Sequence, residues 1–346
     1  MKQLQLVDIR AIDETLALLS EYWGEEKRVE HYDAETIDEA GSLLERHKDR
    51  AKVIAGGVDI VRLMNSKVMF PGVLVNIKTI PDLSYITDDA TGLKIGTLTT
   101  IGDIEKSALL KGKYPMLAKA AHLVSSPLVR NMATIAGDLC QSATCWYYRL
   151  SPLTGCSFFC QRKGGEQCYA VTGDNTYHAI FGGGKCRAAF SSDMAVALTA
   201  LGASVKVAGP LGYREIPLEE FYTGMGNTLD PDEIITEINV PTLKPGTRQQ
   251  FLKFRLRKTI DFAISSVAAA ITTEAGVVSE ARILLGGVAT TPYRARAAEE
   301  TIKGKVITES VAEIAAKAAV SEAAPLSKNA YKLSITRALV KRAIVD

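Results

Sequence analysis

The sequence is sparing with cysteine everywhere but in one place. None of its six cysteines lies outside residues 140–186. Cysteine is a common core residue, so thiols used only for packing would be spread along the chain. The chain has no C-x-x-C pair, which excludes the paired knuckles of zinc fingers and ribbons. It has no G-x-G-x-x-G opening a helix, which excludes the dinucleotide fingerprint of doubly wound folds. No apolar run is long enough to span a bilayer. The first residues, "MKQLQLVDIRAIDETLALL", lack the unbroken apolar stretch of a secretion signal. The formal charge is only +2, so neither nucleic acid nor a membrane is expected as a partner. These features read as cytoplasmic. Thiols stay reduced there, and clustered cysteines more often bind metal or do redox work than pair as disulfides.

What is present suits a folded enzyme of moderate size. The 346 residues, 47% of them apolar, can bury a large core in two or three domains. "DETLALLSEYWGEE" has an apolar helical stripe through Leu16, Leu19 and Trp23. "TIDEAGSLLERHKDR" predicts a helix with Thr36 as N-cap and Glu39 closing a capping box. "SSDMAVALTALGA" starts like a second capped helix. "TEINVP", "QQFLKFRLR", "AAAITTEAGVV" and "EARILLGGVA" alternate as strands of one antiparallel sheet, and three helices close the chain. The order predicts an α+β protein of at least two domains.

Two stretches, "AGGVDI" (Ala55 to Ile60) and "TIAGDL" (Thr134 to Leu139), are each expected to end a strand with little side chain. Such turns bare consecutive backbone N–H groups and let a phosphate come close. "IGTLTT" adds small hydroxyls nearby. Asp138 points the other way, since a carboxylate beside a phosphate repels it unless it faces elsewhere. On spacing alone, tight turns in a packed domain are the commoner explanation.

The cysteines follow spacings of 15 from Cys145 to Cys160, 8 to Cys168 and 18 to Cys186, with Cys140 and Cys156 besides. Soft thiolates suit an iron–sulfur cluster or zinc. Structural zinc stays open, with Cys156 and Cys160 at i, i+4 as its nearest approach to a pair. The residues between are polar, Gly-rich and turn-forming, as in an inserted loop. Arg162, Lys163, Lys185 and Arg187 would offset a cluster's negative charge. His178, the only histidine of the region, is given no role.

"AGGVDIV", "RNMATIAGDL", "SSDMAVALTALGA", "FYTGMGNTLDPDEIITEINVP", "FLKFRLRKTIDFAISSVAAAI" and "LLGGVATTPYRARAAE" occur here in order. From about Val29 onward the chain thereby resembles the FAD-binding medium subunit of the xanthine dehydrogenase and carbon monoxide dehydrogenase family of molybdenum hydroxylases. "TCWYY", "FCQRKGGEQC" and "GGGKCRAAFSSD" resemble the subset with an extra [4Fe–4S] insertion, such as the medium subunit of 4-hydroxybenzoyl-CoA reductase. The resemblance implies a vanillyl-alcohol-oxidase-type FAD-binding domain of two subdomains, then a smaller α+β domain. It divides the chain into a helical extension (1–28), an FAD-binding domain (29–226) with the cysteine insertion at about 140–188, and a C-terminal domain (227–346).

The resemblance also implies the site. Ala55, Gly56, Gly57, Val58, Asp59 and Ile60 would meet the FAD pyrophosphate from one side, and Thr134, Ala136 and Gly137 from the other. Thr99, Thr100 and Asp193 would hold ribitol or ribose, with Asn131, Asp138 and Lys253 also in the cofactor set. Cys145, Cys160, Cys168 and Cys186 would hold the cluster. The implied partners are a large subunit with a molybdenum cofactor, a small subunit with [2Fe–2S] clusters in a dimer of heterotrimers, and an external one-electron protein such as ferredoxin. No residue pair suggests acid–base chemistry on an organic substrate. Two departures stand out. The family's second loop has a Gly pair and then Asn, whereas this chain has Ala136, Gly137 and Asp138. Ala136 is therefore expected at negative φ. Ala263 stands where xanthine dehydrogenases place a lysine near the flavin, so reactivity with NAD does not simply carry over.

Overall fold

The computed structural model describes residues 28–150, 158–182 and 184–346. The expected extension, all but its last residue, and Cys156 lie outside the described residues.

Three larger sheets order the described residues, beside a two-stranded ribbon of Tyr222–Thr223 and Gly226–Asn227. The first is small and parallel, with Val73–Asn76 between Glu30–Asp33 and Ala51–Ile54. The helix Ile37–His47 crosses between its outer strands. Thr36 is the N-cap that the spacing predicts, accepting from the Glu39 N–H at 3.1 Å, while the Glu39 carboxylate reaches one residue further back and accepts from the Glu35 N–H at 2.8 Å. Such a cap contributes about 1 kcal/mol. Ala40 and Leu44 of this helix pack on Val73 and Val75 in a compact core.

The second sheet has five antiparallel strands, with Ile234–Pro241 in the middle between Gly92–Gly96 and Ser204–Gly209. "TEINVP" therefore belongs here, not with the strands that follow it. Alternation shows that a strand exists but not which strand it pairs with. The helices Pro115–Leu123 and Asp193–Ala200 share the largest core with this sheet. The latter is capped by Ser192, whose hydroxyl accepts from the Ala195 N–H at 2.9 Å.

The third sheet joins Thr247–Phe254, Ser265–Glu274, Val277–Gly286 and Tyr293–Arg294 in antiparallel order. The helices Arg296–Ile302, Glu309–Ala318 and Tyr331–Val345 cover one face with a core of alanine and β-branched residues. Two subdomains followed by a C-terminal α+β unit is the expected fold class. One local expectation is corrected. "NMATIAGDL" is not strand and turn but the exit of the Pro127–Arg130 helix followed by the Ile135–Leu139 helix. Thr134 is its N-cap, accepting from the Gly137 N–H at 3.3 Å. Small residues fit either structure, and the cap decides.

Candidate functional site

The first glycine turn does end a strand. After Ala51–Ile54 the chain runs through residues 55–59 into the helix Ile60–Asn65. Gly57 sits at φ +70°, a conformation glycine adopts without penalty. Gly56 is needed for another reason: a Cβ there would lie 1.8 Å from the carbonyl oxygen of Met132. Nothing larger than hydrogen fits, so the first loop presses directly on the chain entering the second. Among the described residues, no protein group accepts from the N–H groups of Gly56, Gly57, Val58 or Asp59. Unpaired backbone donors in a row are a seat for an anion.

The second wall is built from backbone too. The Ile135 N–H donates to the Thr99 carbonyl at 2.9 Å, and the Ile101 N–H to the Ala133 carbonyl at 2.8 Å. Between the walls lies a cleft of ≈ 360 Å³. It is lined by all six residues Ala55–Ile60 and by Thr134, Gly137, Asp138, Asp193 and Lys253, each expected from the sequence. Ala136 falls in the first turn of a helix, where its methyl is unstrained, but it does not line the cleft.

Three other expected residues lie away from this cleft. The Thr99 hydroxyl is buried and spent on the Tyr85 backbone, donating to its carbonyl and accepting from its N–H. The Thr100 hydroxyl caps the Ile101–Lys106 helix and donates to Asp103 at 2.6 Å. Asn131 is exposed and packs on Gly102. None of the three lines the cleft. The walls instead include Ser125, Gln141, Ser142, Ser191 and Phe262. Ser191 and Phe262 lie within motifs quoted above without being singled out, and Ser125, Gln141 and Ser142 lie in none, so tertiary packing alone brings those three to the cleft.

Asp138 is buried against the Ser192 hydroxyl at 2.5 Å and the Gln141 amide at 3.0 Å. Burial, reinforced by Asp193 and Asp59, pushes its carboxyl up to about 7. The carboxylate thus faces helix caps rather than the Gly56–Asp59 amides. At the cleft mouth, Ile260 sits at φ +70° and donates its N–H to the carbonyl of Ser125, itself at φ +39°. A β-branched residue in that region is strained by the order of 1–2 kcal/mol.

The cysteine region adjoins the cleft. A second cavity of ≈ 380 Å³ shares Cys140, Gln141, Ser142 and Ser191 with the first, and Arg162 lines its far side. Cys145 caps the helix Trp146–Arg149. Burial pushes its thiol up to about 11, and the neighbouring Cys186 and Cys168 push the same way. Three of the four expected ligands therefore share one neighbourhood. Cys160 is buried in the turn that also carries Arg162, whose Nε donates to Cys186 Sγ at 3.0 Å. His178, which sequence reasoning left without a role, has its Nε2 3.2 Å from Cys145 Sγ. Burial pushes its imidazole down to about 4, and the nearby Lys332 adds to this. Among the described residues, no three histidines, thiols or carboxylates converge as on a single metal ion.

The bare amides at Gly56–Asp59 and the glycine contact at Met132 fit a diphosphate-bearing cofactor such as FAD. Residues 27–243 match the family model "FAD binding domain in molybdopterin dehydrogenase", and residues 250–346 match "CO dehydrogenase flavoprotein C-terminal domain". The carbon monoxide dehydrogenase medium chain of Hydrogenophaga pseudoflava is 28% identical, over 92% of this chain and 96% of that one. The aldehyde oxidoreductase FAD-binding subunit PaoB of Escherichia coli K12 is 32% identical, over 83% of this chain and 88% of that one. The solved structure of the Hydrogenophaga pseudoflava carbon monoxide dehydrogenase lacking the Mo-pyranopterin moiety superposes with a TM-score of 0.73, covering 91% of this chain and 95% of that one. The chain therefore belongs to the FAD-binding flavoprotein subunits of the molybdopterin dehydrogenase family.

Proposed function

We propose that this chain holds FAD in the cleft, with its pyrophosphate on the amides of Gly56, Gly57, Val58 and Asp59. The row of unbonded N–H groups facing Thr134 and Gly137 carries the reading. Phosphate takes four donors there that otherwise have none. We propose further that Cys145, Cys160, Cys168 and Cys186 hold a [4Fe–4S] cluster, as in the 4-hydroxybenzoyl-CoA reductase-like subset. What supports this is the shared neighbourhood of three of the thiols, the Arg162 N–H on Cys186, and the absence of any carboxylate bonded to a thiol among the described residues.

Bound FAD supplies the exchange between one-electron and two-electron steps, and the cluster supplies a one-electron store. The residues' own work is to hold both groups close and keep water from them. Lys253 and Asp193 seal the cleft floor, while Trp146, Tyr147 and Tyr177 pack around His178 beside Cys145 or against one another. Substrate chemistry would fall to a partner with a molybdenum cofactor, and a small [2Fe–2S] subunit would complete the complex. The support is the naming of relatives as medium chains or FAD-binding subunits of dehydrogenases and oxidoreductases. A ferredoxin-like outside partner and a dimer of heterotrimers complete the proposal. Clustered free thiols of this kind suit a reducing, cytoplasmic setting.

The visible spectrum of the purified chain, with iron and acid-labile sulfide analysis, tests the reading. Paired flavin bands over a broad iron–sulfur shoulder are expected. Cys168→Ser should bleach the shoulder and leave the flavin bands. Zinc in place of iron would overturn the cluster, and a flavin-free protein that takes up no added FAD would overturn the cleft assignment.

A further inference from the structure

Asp59 poses a problem for a phosphate seat, because it supplies one of the free amides yet carries a carboxylate. An ionised carboxylate next to a pyrophosphate would repel it. The structure resolves this through Arg149. Its guanidinium donates to Asp59 Oδ1 at 2.7 Å, to the Ser142 carbonyl at 2.8 Å and, through Nε, to the Ala143 carbonyl at 2.7 Å. The other carboxylate oxygen, Oδ2, accepts from the Ser142 N–H at 2.8 Å. The pair is largely buried, 13% and 25% exposed. Both oxygens of Asp59 are thereby turned to the chain leading into the cysteine region. Consistent with this, Asp59 is the N-cap residue of the Ile60–Asn65 helix but makes no side-chain cap bond. Arg149 itself ends the short helix that begins directly after Cys145.

We propose that Arg149 is a positioning residue for FAD: it neutralises the Asp59 carboxylate and holds it out of the cradle, leaving the amide row open to the pyrophosphate. The inference rests on FAD occupying this cleft. It makes the cysteine insertion, through its first helix, a structural part of the flavin seat. Loss of Arg149 would leave the Asp59 carboxylate uncompensated beside the phosphates.

FAD titration of the flavin-stripped full chain at pH 8, with folding checked by circular dichroism, decides it. Arg149→Met should raise the Kd for FAD by about tenfold or more, the scale expected when one partner of a buried charge pair is removed. That loss should shrink at high salt, because it is repulsive. Adding Asp59→Asn to Arg149→Met should restore most of the affinity. A merely structural role for Arg149 would not be rescued by neutralising a second residue. A folded Arg149→Met chain that binds FAD within twofold of wild type overturns the proposal, as does a double variant as weak as the single one. If Arg149→Met does not fold, Asp59→Asn alone decides: affinity equal to or above wild type supports the proposal, and a tenfold loss overturns it. A wild-type chain that takes up no FAD would instead sink the cleft assignment itself.

Discussion

Lys253 and Asp193 meet at 2.5 Å in a pair almost sealed from water, 1% and 5% exposed. Lys253 comes from the strand Thr247–Phe254 and Asp193 opens the helix Asp193–Ala200, so one ammonium ties the C-terminal sheet to the cofactor domain. It also donates to the Leu123 carbonyl at 3.0 Å. Burial pushes the Asp193 carboxyl up, and Lys253 opposes that shift. Lys253→Met leaves a buried carboxylate without its partner, at a cost of about 3–5 kcal/mol. Urea denaturation should show that loss. Lys253→Met with Asp193→Asn should recover much of it, because no uncompensated charge then remains. A double variant as unstable as the sum of the singles would mean that packing, not charge, is what Lys253 supplies.

Gly56→Ala places a methyl where the Met132 carbonyl already stands. Backbone cannot rotate away as a side chain can, so the two walls must part. A stability loss of about 1–3 kcal/mol and a clear fall in FAD affinity are expected. Gly41→Ala is the control. It lies within the Ile37–His47 helix, and a Cβ there meets nothing within 4 Å. It should stabilise by about 0.5–1 kcal/mol and leave FAD binding unchanged. Melting curves with and without FAD separate the two effects.

Local chemistry was legible in the sequence, and long-range pairing was not. The Thr36 cap, the Ser192 cap and the strand ending in the Ala55–Ile60 turn were all readable, because each depends on residues a few positions apart. The hydroxyls of Thr99 and Thr100 show the same limit in reverse. A small hydroxyl near a glycine turn suggests a ligand contact, but Tyr85 and Asp103 take these two first. The partners of Ile234–Pro241 lie over a hundred residues away on one side, so its sheet could not be read from its own alternation. His178 reaches Cys145 across 33 residues. Its local sequence gives no sign of this, and the backbone around it is held from far away, by the Asn329 amide donating to the His178 and Ala179 carbonyls.

Asp138 should make FAD binding pH-dependent. With a carboxyl raised to about 7 against about 3.9 when unfolded, the folded chain holds its proton more tightly. The unfolded state then binds fewer protons between about pH 4 and 7, so stability falls as pH rises through that window and levels off above it. FAD affinity should fall over the upper part of the same window as the carboxylate ionises beside the seat. Asp138→Asn removes the titrating group, and Asn keeps an oxygen for the Ser192 hydroxyl. Its FAD affinity should be flat from pH 6 to 8 and exceed wild type at pH 8. Parallel pH profiles for the two proteins would assign the dependence to another group.

Lys332 should govern the opposite limb of the stability curve. Its ammonium is fully buried, donating to the carbonyls of Tyr177 at 2.9 Å and Gly287 at 2.7 Å, with no carboxylate partner among the described residues. Burial lowers it to about 7, against about 10.4 when unfolded. Between those values the unfolded chain binds more protons, so stability rises with pH from about 7 toward 10. Lys332→Met should flatten that rise in urea midpoints measured across the range, since a thioether carries no proton. An anionic cluster on the cysteines near His178 would favour the charged lysine and move its titration upward. Iron-loaded protein should therefore show a weaker alkaline rise than iron-depleted protein, while Lys332→Met shows none in either form. An equal rise in both wild-type forms would mean that Lys332 does not feel the cysteine site.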